Sequence, residues 1–374
     1  MRAVELFAGI GGFRVACDSL GIETVWANDI SDAAAKVYRE NFGSEGFFFG
    51  DINDFIEDIP EHEILTGGFP CQPFSSAGRK LGLEDARGTL FEKIVRILKL
   101  RQPKYFVLEN VKRLLSMDQG KHFATILDAL CEAGYLVEWR LLNAMNFGLP
   151  QHRERIVITG RLNAELNSVL CTEQDLRELN PRQIASVCNV HHWKKIEEHS
   201  SKFLPWGVAH DGKFSHALIK EFSDAKPPVL LREVLEDRPS EEYFFTKDTH
   251  ARIQNSERVD RFYNGVEILY NQKGGARMGY SIFGTNGLAP TLTCTTSRHY
   301  ERYKVGGEFR RLTPVEYARI QGFPDAHCSI AKRYDQYTLY GNAVPPNLVE
   351  WAIARLVNGV RTSFSKTVMQ MELV

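Results

Sequence analysis

Over its first 160 residues the chain alternates short apolar runs with segments of helical periodicity, and this rhythm limits the possible folds most. Strands separated by helices pair in parallel, and the helices then cover both faces of the sheet. Residues 3–7 (AVELF) are expected as a strand. A Gly-rich turn follows, then a helix carrying Phe13, Ala16, Cys17 and Leu20 that stops at Gly21. The pattern continues with a strand near 24–27, a helix capped by Ser31, a strand at 63–67 and a helix over 87–101 ended by Pro103. A strand at 105–108, a helix around 121–133 and strands near 136–142 and 155–159 complete it. The expected fold class is therefore α/β, a doubly wound, mostly parallel sheet occupying 1–162. From 163 to 334 the alternation gives way to polar segments and the runs KGGARMGY and GTNGLAPT, expected to form a smaller domain. In 335–374 helical periodicity returns through Leu348, Trp351, Ala352 and Leu356, so this segment is expected to rejoin the first domain.

A chain of 374 residues has room for both units. Its 46 basic and 47 acidic residues leave a formal net charge of −1, so any contact with nucleic acid must come from local clustering. No apolar run approaches the ~20 residues of a membrane span, and MRAVELFAGIGG lacks a signal-peptide core; a cytoplasmic location is expected. Seven cysteines without a Cys-x-x-Cys pair suggest neither a disulfide framework nor a metal site.

In an open parallel sheet, ligands bind beyond the carboxyl ends of the strands. FAGIGG (Phe7 to Gly12) falls there, with glycines that permit close approach, but Arg14 stands where a dinucleotide fingerprint needs glycine. Asp29 is placed to bind ribose hydroxyls and Asp51 to accept from an adenine amino group. Either acid alone would as readily cap a turn; with the glycines they favour an adenosyl ligand. Cys71, in GGFPCQPFSSAG, follows a strand within a Pro- and Gly-rich turn, which suits an exposed nucleophile better than a core position. Glu109 follows the next strand, and QHRER (Gln151 to Arg155) brings two arginines towards the same edge.

FAGIGGFR, GGFPCQPFS, ENV, QHRER, RRLTPVEYARIQGFP (Arg310 to Pro324) and GNAVPP (Gly341 to Pro346) occur in this order from Val4 to Pro346. The series resembles that of the cytosine carbon-5 DNA methyltransferases of bacterial restriction-modification systems. The resemblance implies a Rossmann-like methyltransferase fold with a target-recognition domain, and S-adenosylmethionine as cofactor. Phe7, Gly9, Gly11, Gly12, Asp29, Ile30, Asp51, Ile52, Pro70, Asn342 and Val344 would hold it. Ile30 stands where the family often carries an aromatic, so adenine is expected between Phe7 and Ile30.

By the same resemblance Cys71 adds to carbon 6 of cytosine, Glu109 protonates ring nitrogen 3 with Asn110 orienting nearby groups, and Arg155 lies at oxygen 2. Arg153 is expected to position the nucleophile loop or a phosphate. No side chain is an evident base for the carbon-5 hydrogen; water is the candidate. The target must leave the duplex, with the 74–87 loop as lid and Ser75 and Arg79 against DNA. Thr291, Leu292, Arg298 and Arg302, in the basic and aromatic run TLTCTTSRHYERYK, are further expected DNA contacts; the alternative is a polar surface hairpin.

The expected partner is double-stranded DNA, read by a monomer, with a restriction endonuclease acting on the same sequence without direct binding. Two other readings stay open. One is methylation of transfer RNA by the related branch of the family, against which the long segment between QHRER and RRLTP speaks. The other is a catalytically silent DNA-binding relative, which would be expected to lose Cys71, Glu109 or the glycines.

Overall fold

The structure, a computed structural model, describes residues 1–70, 90–164, 170–171, 173–271, 281–294 and 301–358. Cys71, Ser75, Arg79, Arg298 and the 74–87 loop lie outside the described residues. In the first unit, strands β1 (Arg2–Leu6), β2 (Glu23–Asp29), β3 (Phe47–Phe49), β4 (Ile64–Gly68), β5 (Tyr105–Val111), β6 (Tyr135–Asn143) and β7 (Glu154–Leu162) alternate with helices α1 (Gly12–Ser19), α2 (Asp32–Phe42), α3 (Leu90–Arg101) and α4 (Lys121–Glu132). The expected elements are all present, displaced by three residues or fewer at their described ends. Ser31 caps α2 by accepting from Ala34 N.

The remaining elements are α5 (Glu173–Leu176), α6 (Pro181–Cys188), β8 (Lys194–Lys195), β9 (Trp206–His210), β10 (Lys213–Ala217), α7 (Lys247–Gln254), β11 (Glu257–Tyr263), β12 (Val266–Asn271), β13 (Ser281–Phe283), β14 (Arg302–Val305), β15 (Glu308–Arg310), α8 (Pro314–Gln321), α9 (Arg333–Asn342) and α10 (Pro346–Asn358). The large sheet runs β3-β2-β1-β4-β5-β7-β6-β9-β10-β8. Strands β3 to β5 pair in parallel, and β7 enters antiparallel between β5 and β6. Following the pairings outward, only β7, β9 and β8 oppose the rest, so seven of the ten strands share one direction.

Strand burial follows from this two-sided cover. Val4, Leu6, Leu65, Phe106 and Leu108 face a core shared with α3 and α4. Ala3, Ile64, Tyr105 and Val107 face the other, shared with α1 and with Leu348, Val349, Ala352 and Ile353 of α10. The last helix thus packs on the first domain, as its periodicity suggests.

Residue 163 does not separate the two sheets. Strand β9 pairs with β6 over four residues, and β10 and β8 extend the same sheet. Buried Trp206 and Val208 share a core with Leu136 of β6, giving 194–217 an apolar reason to join the first sheet. The second sheet, β11-β12-β13-β14-β15, spans only 257–310. Its first hairpin turns through Asn264 (φ 50°) and Gly265 (φ 77°), a pair suited to left-handed turn positions.

Helix α8 explains the residue types of RRLTPVEYARIQGFP. Thr313 and Glu316 form a reciprocal capping box, Pro314 occupies the first turn, and Gly322 (φ 84°) ends the helix. Arg310, 1% exposed, binds Glu316 through Nη1 (2.8 Å) and Nη2 (2.6 Å), fixing α8 to β15. The core of this second unit includes Phe283, Leu292, Tyr303 and Tyr317, together with Ile10, Ala34 and Val37 from the first. The second unit therefore packs directly on the Gly-rich turn.

Candidate active site

A cavity of ≈ 610 Å³ opens where Phe7, Asp29, Gly68 to Pro70 and Glu109 to Val111 leave the carboxyl ends of β1, β2, β4 and β5. It lies beside the reversal of strand order between β1 and β4, the expected ligand crevice of such a sheet. Arg153 and Arg155 enter from β7 and the turn before it, and Leu339 with Gly341 to Val344 closes the far wall.

The turn after β1 is held open by its backbone. Phe7 is left-handed (φ 54°), an uncommon and costly state for a bulky residue, and Gly9 (φ 56°) and Gly11 (φ 83°) are left-handed too. Gly12 is required by space instead: a Cβ there would lie 2.5 Å from the Val344 carbonyl oxygen. Asp29 accepts from Gly9 N through Oδ2 and from Ser31 N through Oδ1, both at 2.7 Å. Burial pushes its carboxyl upward, and those backbone donors oppose the push. Asp51 is exposed at the cavity, and both of its hydrogen bonds, from Asn53 N and Nδ2, fall on Oδ1. Ile30 is 67% exposed and Ile52 lies buried in the wall, so one apolar surface and two carboxylates face the same space. This donor and apolar set fits a nucleoside: the acids suit hydroxyl and amino groups, and Phe7 and Ile30 suit a ring. Pro70, Asn342 and Val344 also line the cavity.

At the catalytic end, Glu109 is paired with Arg155, Oε1 to Nε at 2.8 Å, with only 13% and 12% of their side chains exposed. Burial raises the Glu109 carboxyl above its ordinary value, while Arg155 and then Arg153 pull it back. Gly68 stands opposite Glu109 in the β4–β5 register, and a Cβ there would meet Glu109 Oε2 at 3.3 Å. Arg155 also donates through Nη1 to the Glu154 carbonyl. Arg155 is thus the counter-ion of Glu109 here, a nearer commitment than the expected one to a substrate oxygen. Asn110, 2% exposed, donates to the Phe69 carbonyl at 2.8 Å, tying β5 to the chain two residues before Cys71.

Three expectations are corrected. Arg153 is 1% exposed and donates to the carbonyls of Leu292 (2.9 Å), Gly341 (2.9 Å) and Ala343 (3.0 Å), so it joins chain segments rather than meeting a phosphate; the nucleophile loop, its other expected partner, lies outside the described residues. Leu292, also 1% exposed, donates its N–H to Gln151 Oε1, and the Thr291 hydroxyl donates to the His152 carbonyl. The Thr-Leu element therefore braces QHRER from behind. Tyr303 belongs to the core, fully buried, rather than to an exposed basic and aromatic patch. Arg302 is half-buried on β14.

Other contributors escaped the sequence reading. Glu5, an acid inside an apolar strand, accepts from Tyr38 Oη and Arg14 N; its charge within AVELF was the available signal. A second cavity of ≈ 370 Å³ separates His152 from β11 and β13, with Arg261, Tyr263 and Asn264 on its wall. The Asn-Gly turn was the clue to that hairpin.

With this geometry in place, the comparisons with known proteins decide the family. The model of the C-5 cytosine-specific DNA methylase family matches residues 1–358. The chain belongs to that family. It is 34% identical over 363 residues to the type II methyltransferase M1.ScrFI of Lactococcus lactis subsp. cremoris, covering 92% of this chain and 74% of that one. It is 32% identical over 355 residues to M.HhaI of Haemophilus parahaemolyticus, covering 94% and 92%. Among solved structures, the S. pombe Dnmt2 methyltransferase superimposes with a TM-score of 0.63 over 96% of this chain and 99% of that one, at 18% identity, which speaks for the fold alone. The chain is thus an enzyme that methylates carbon 5 of cytosine in DNA. Among the described residues no helix is long and apolar enough to cross a membrane.

Proposed function

We propose that this methyltransferase takes its methyl group from S-adenosylmethionine and delivers it to a cytosine flipped out of a specific duplex sequence. The observation that carries the reading is a single cavity holding the Asp29 and Asp51 carboxylates at one end and the buried Glu109–Arg155 pair at the other. Asp29 would hold ribose hydroxyls, the free edge of Asp51 the adenine amino group, and Phe7 with Ile30 the ring. When bound, the cofactor supplies an electrophilic methyl sulfonium.

Unactivated cytosine is a poor carbon nucleophile, so the chain must activate it. The Cys71 thiolate adds to carbon 6, and the electron pair of the 5,6 double bond moves into the ring towards nitrogen 3. Glu109 gives or shares a proton there, which its burial favours by keeping the acid form accessible. Arg155 holds Glu109 in place and balances its charge. Asn110 aligns the strand end that leads to Cys71. Once carbon 5 carries the methyl group, nitrogen 3 returns its proton to Glu109, and loss of the carbon-5 proton to water re-forms the 5,6 double bond as the bond to the Cys71 sulfur breaks and the thiolate leaves. Duplex DNA would lie against the second sheet, with Arg261 and Tyr263 beside the second cavity as contacts and Arg302 on β14 a further one; Arg298, also expected to touch DNA, lies outside the described residues. A monomer reading its site independently of any restriction endonuclease completes the proposal.

Duplex DNA carrying 5-fluorocytosine tests it, because fluorine cannot leave as a proton. The expected adduct survives denaturing electrophoresis, needs S-adenosylmethionine for full yield and maps to Cys71. Cys71→Ser should lose methyl transfer while keeping DNA and cofactor binding. An adduct at another cysteine would overturn the mechanism, and tritium transfer to transfer RNA in preference to duplex DNA would overturn the substrate.

A further inference from the structure

Helix α1 starts without a cap of its own. Its N-cap, Gly11, has no side chain and is left-handed. The N–H of Arg14, in the first turn and so without an acceptor in the helix, donates to Glu5 Oε1 at 3.3 Å. The Ile10 carbonyl, in a residue only 2% exposed, precedes the cap and accepts no backbone N–H, so its donor must be a side chain. His327 Nε2 supplies it at 2.7 Å; a carbonyl can only accept, so the ring carries its proton on Nε2.

His327 comes from far along the chain, 317 residues from Ile10, in the loop that follows α8. It is 3% exposed and sits between Phe42 and Phe323, with ring centroids 5.9 Å and 4.7 Å away. Its own carbonyl accepts from Asn41 Nδ2 at 2.8 Å, which fixes the loop to α2. The preceding helix is tied to the catalytic turn, since Gln151 Nε2 donates to Gln321 Oε1 at 2.8 Å. From the first sheet the turn is held by Ala8 N donating to the Asn28 carbonyl and Gly9 N to Asp29.

We infer that His327 is a positioning residue for the cofactor turn, through which the second unit of the molecule sets the geometry of FAGIGG. The turn contains three left-handed residues, Phe7, Gly9 and Gly11, and so has many nearby alternatives to its observed path. Removing the His327 donor leaves a buried carbonyl unpaired, and the turn relieves this by moving away from its binding-competent form. The inference rests on the S-adenosylmethionine reading above.

The test is calorimetric titration of S-adenosylmethionine into the full chain, for the parent, His327→Leu and His327→Gln. His327→Leu should raise Kd and the KM for S-adenosylmethionine about tenfold, equivalent to ~1.4 kcal/mol. Its kcat at saturating donor and its affinity for DNA should stay close to the parent's. His327→Gln, which retains a donor of similar reach, should recover most of the loss. In the unliganded protein, amides 8–12 should exchange hydrogen faster in His327→Leu than in the parent or His327→Gln. If His327→Leu does not fold, His327→Asn, polar but too short to reach Ile10, must show the same loss. A folded variant without the donor that binds and exchanges like the parent overturns the inference, as does a His327→Gln no better than Leu. A parent that fails to bind S-adenosylmethionine would refute the cofactor reading instead, and exchange at 8–12 would then decide the positioning role alone.

Discussion

Glu109 has opposing demands on it. Burial favours its neutral form, and Arg155 at 2.8 Å favours the carboxylate. The proposed chemistry needs both: an acid with a proton to give to nitrogen 3, and a partner that accommodates the charge left behind. Replacing Arg155 by Gln removes the opposing cation and leaves the burial, so the Glu109 carboxyl should move further up. The alkaline limb of the single-turnover pH profile should then shift to higher pH. The plateau rate should fall by roughly 10² to 10³, the usual loss when one oriented electrostatic partner is removed. The sign for stability is separate: an acid raised above its unfolded value disfavours the folded state progressively as pH rises through that window, and the variant should be more alkali-sensitive. An unmoved alkaline limb would show that Glu109 is not the group titrating in the rate.

At the scale of elements, the β9–β10 hairpin is the addition that the sequence concealed, and it carries its own pH dependence. His216 packs against Phe214 (5.1 Å between ring centroids), His199 (5.6 Å) and Phe203 (5.8 Å), and its Nδ1 accepts from Leu204 N. Burial, followed by the charges of His199 and Lys194, lowers its pKa to about 4. The unfolded chain therefore takes up this proton near pH 6.5 while the folded one resists. Stability is complete above 6.5 and falls as pH drops towards 4, by about 3 kcal/mol at most. Urea unfolding at pH 7.5 and 5 should show this loss in the parent, and His216→Phe should reduce it. An equal loss in both would place the acid sensitivity elsewhere. Apart from the three-residue edge strand β3, which is partly exposed, the strands before residue 163 were legible because they are buried between helices of clear periodicity, so local pattern and tertiary environment agree. Strand β11 is different: six of its seven residues are exposed and alternation is absent, so only the Asn-Gly turn marked it. Helix α9 was obscured by its polar and aromatic content, RYDQYTLYGN, which presents no plain apolar stripe.

Across the whole molecule, Gln151 and Arg153 bring together segments far apart in sequence, and this explains why QHRER reads as catalytic in sequence while half of it proves architectural. The site's residue types were legible from motif order, but their division of labour was not, because burial of Arg153 depends on Leu292 and Gly341, respectively 139 and 188 residues away. Gly341 must be glycine for the same junction: a Cβ there would fall 2.4 Å from the Thr293 carbonyl carbon. Arg153 thus holds the Leu292 segment and the 341–344 turn against one strand entrance. Burial lowers its pKa to about 9, and its three carbonyl acceptors compensate part of the cost of burying the cation. Arg153→Met keeps much of the volume and removes the donors, leaving the Leu292 and Gly341 carbonyls unpaired at about 1–3 kcal/mol each, while the Ala343 carbonyl keeps only Gln321 Nε2. The expected result is a lower midpoint of thermal unfolding, with S-adenosylmethionine and DNA affinity weakened together, because both the 341–344 turn and the Leu292 segment lose their anchor. Arg155→Gln should instead spare both affinities and act on the rate. Calorimetry of each ligand against the two variants separates the roles. If Arg153→Met kept both affinities and lost only kcat, Arg153 would belong to the chemistry, and the junction would be held by Gln151 and its partners alone.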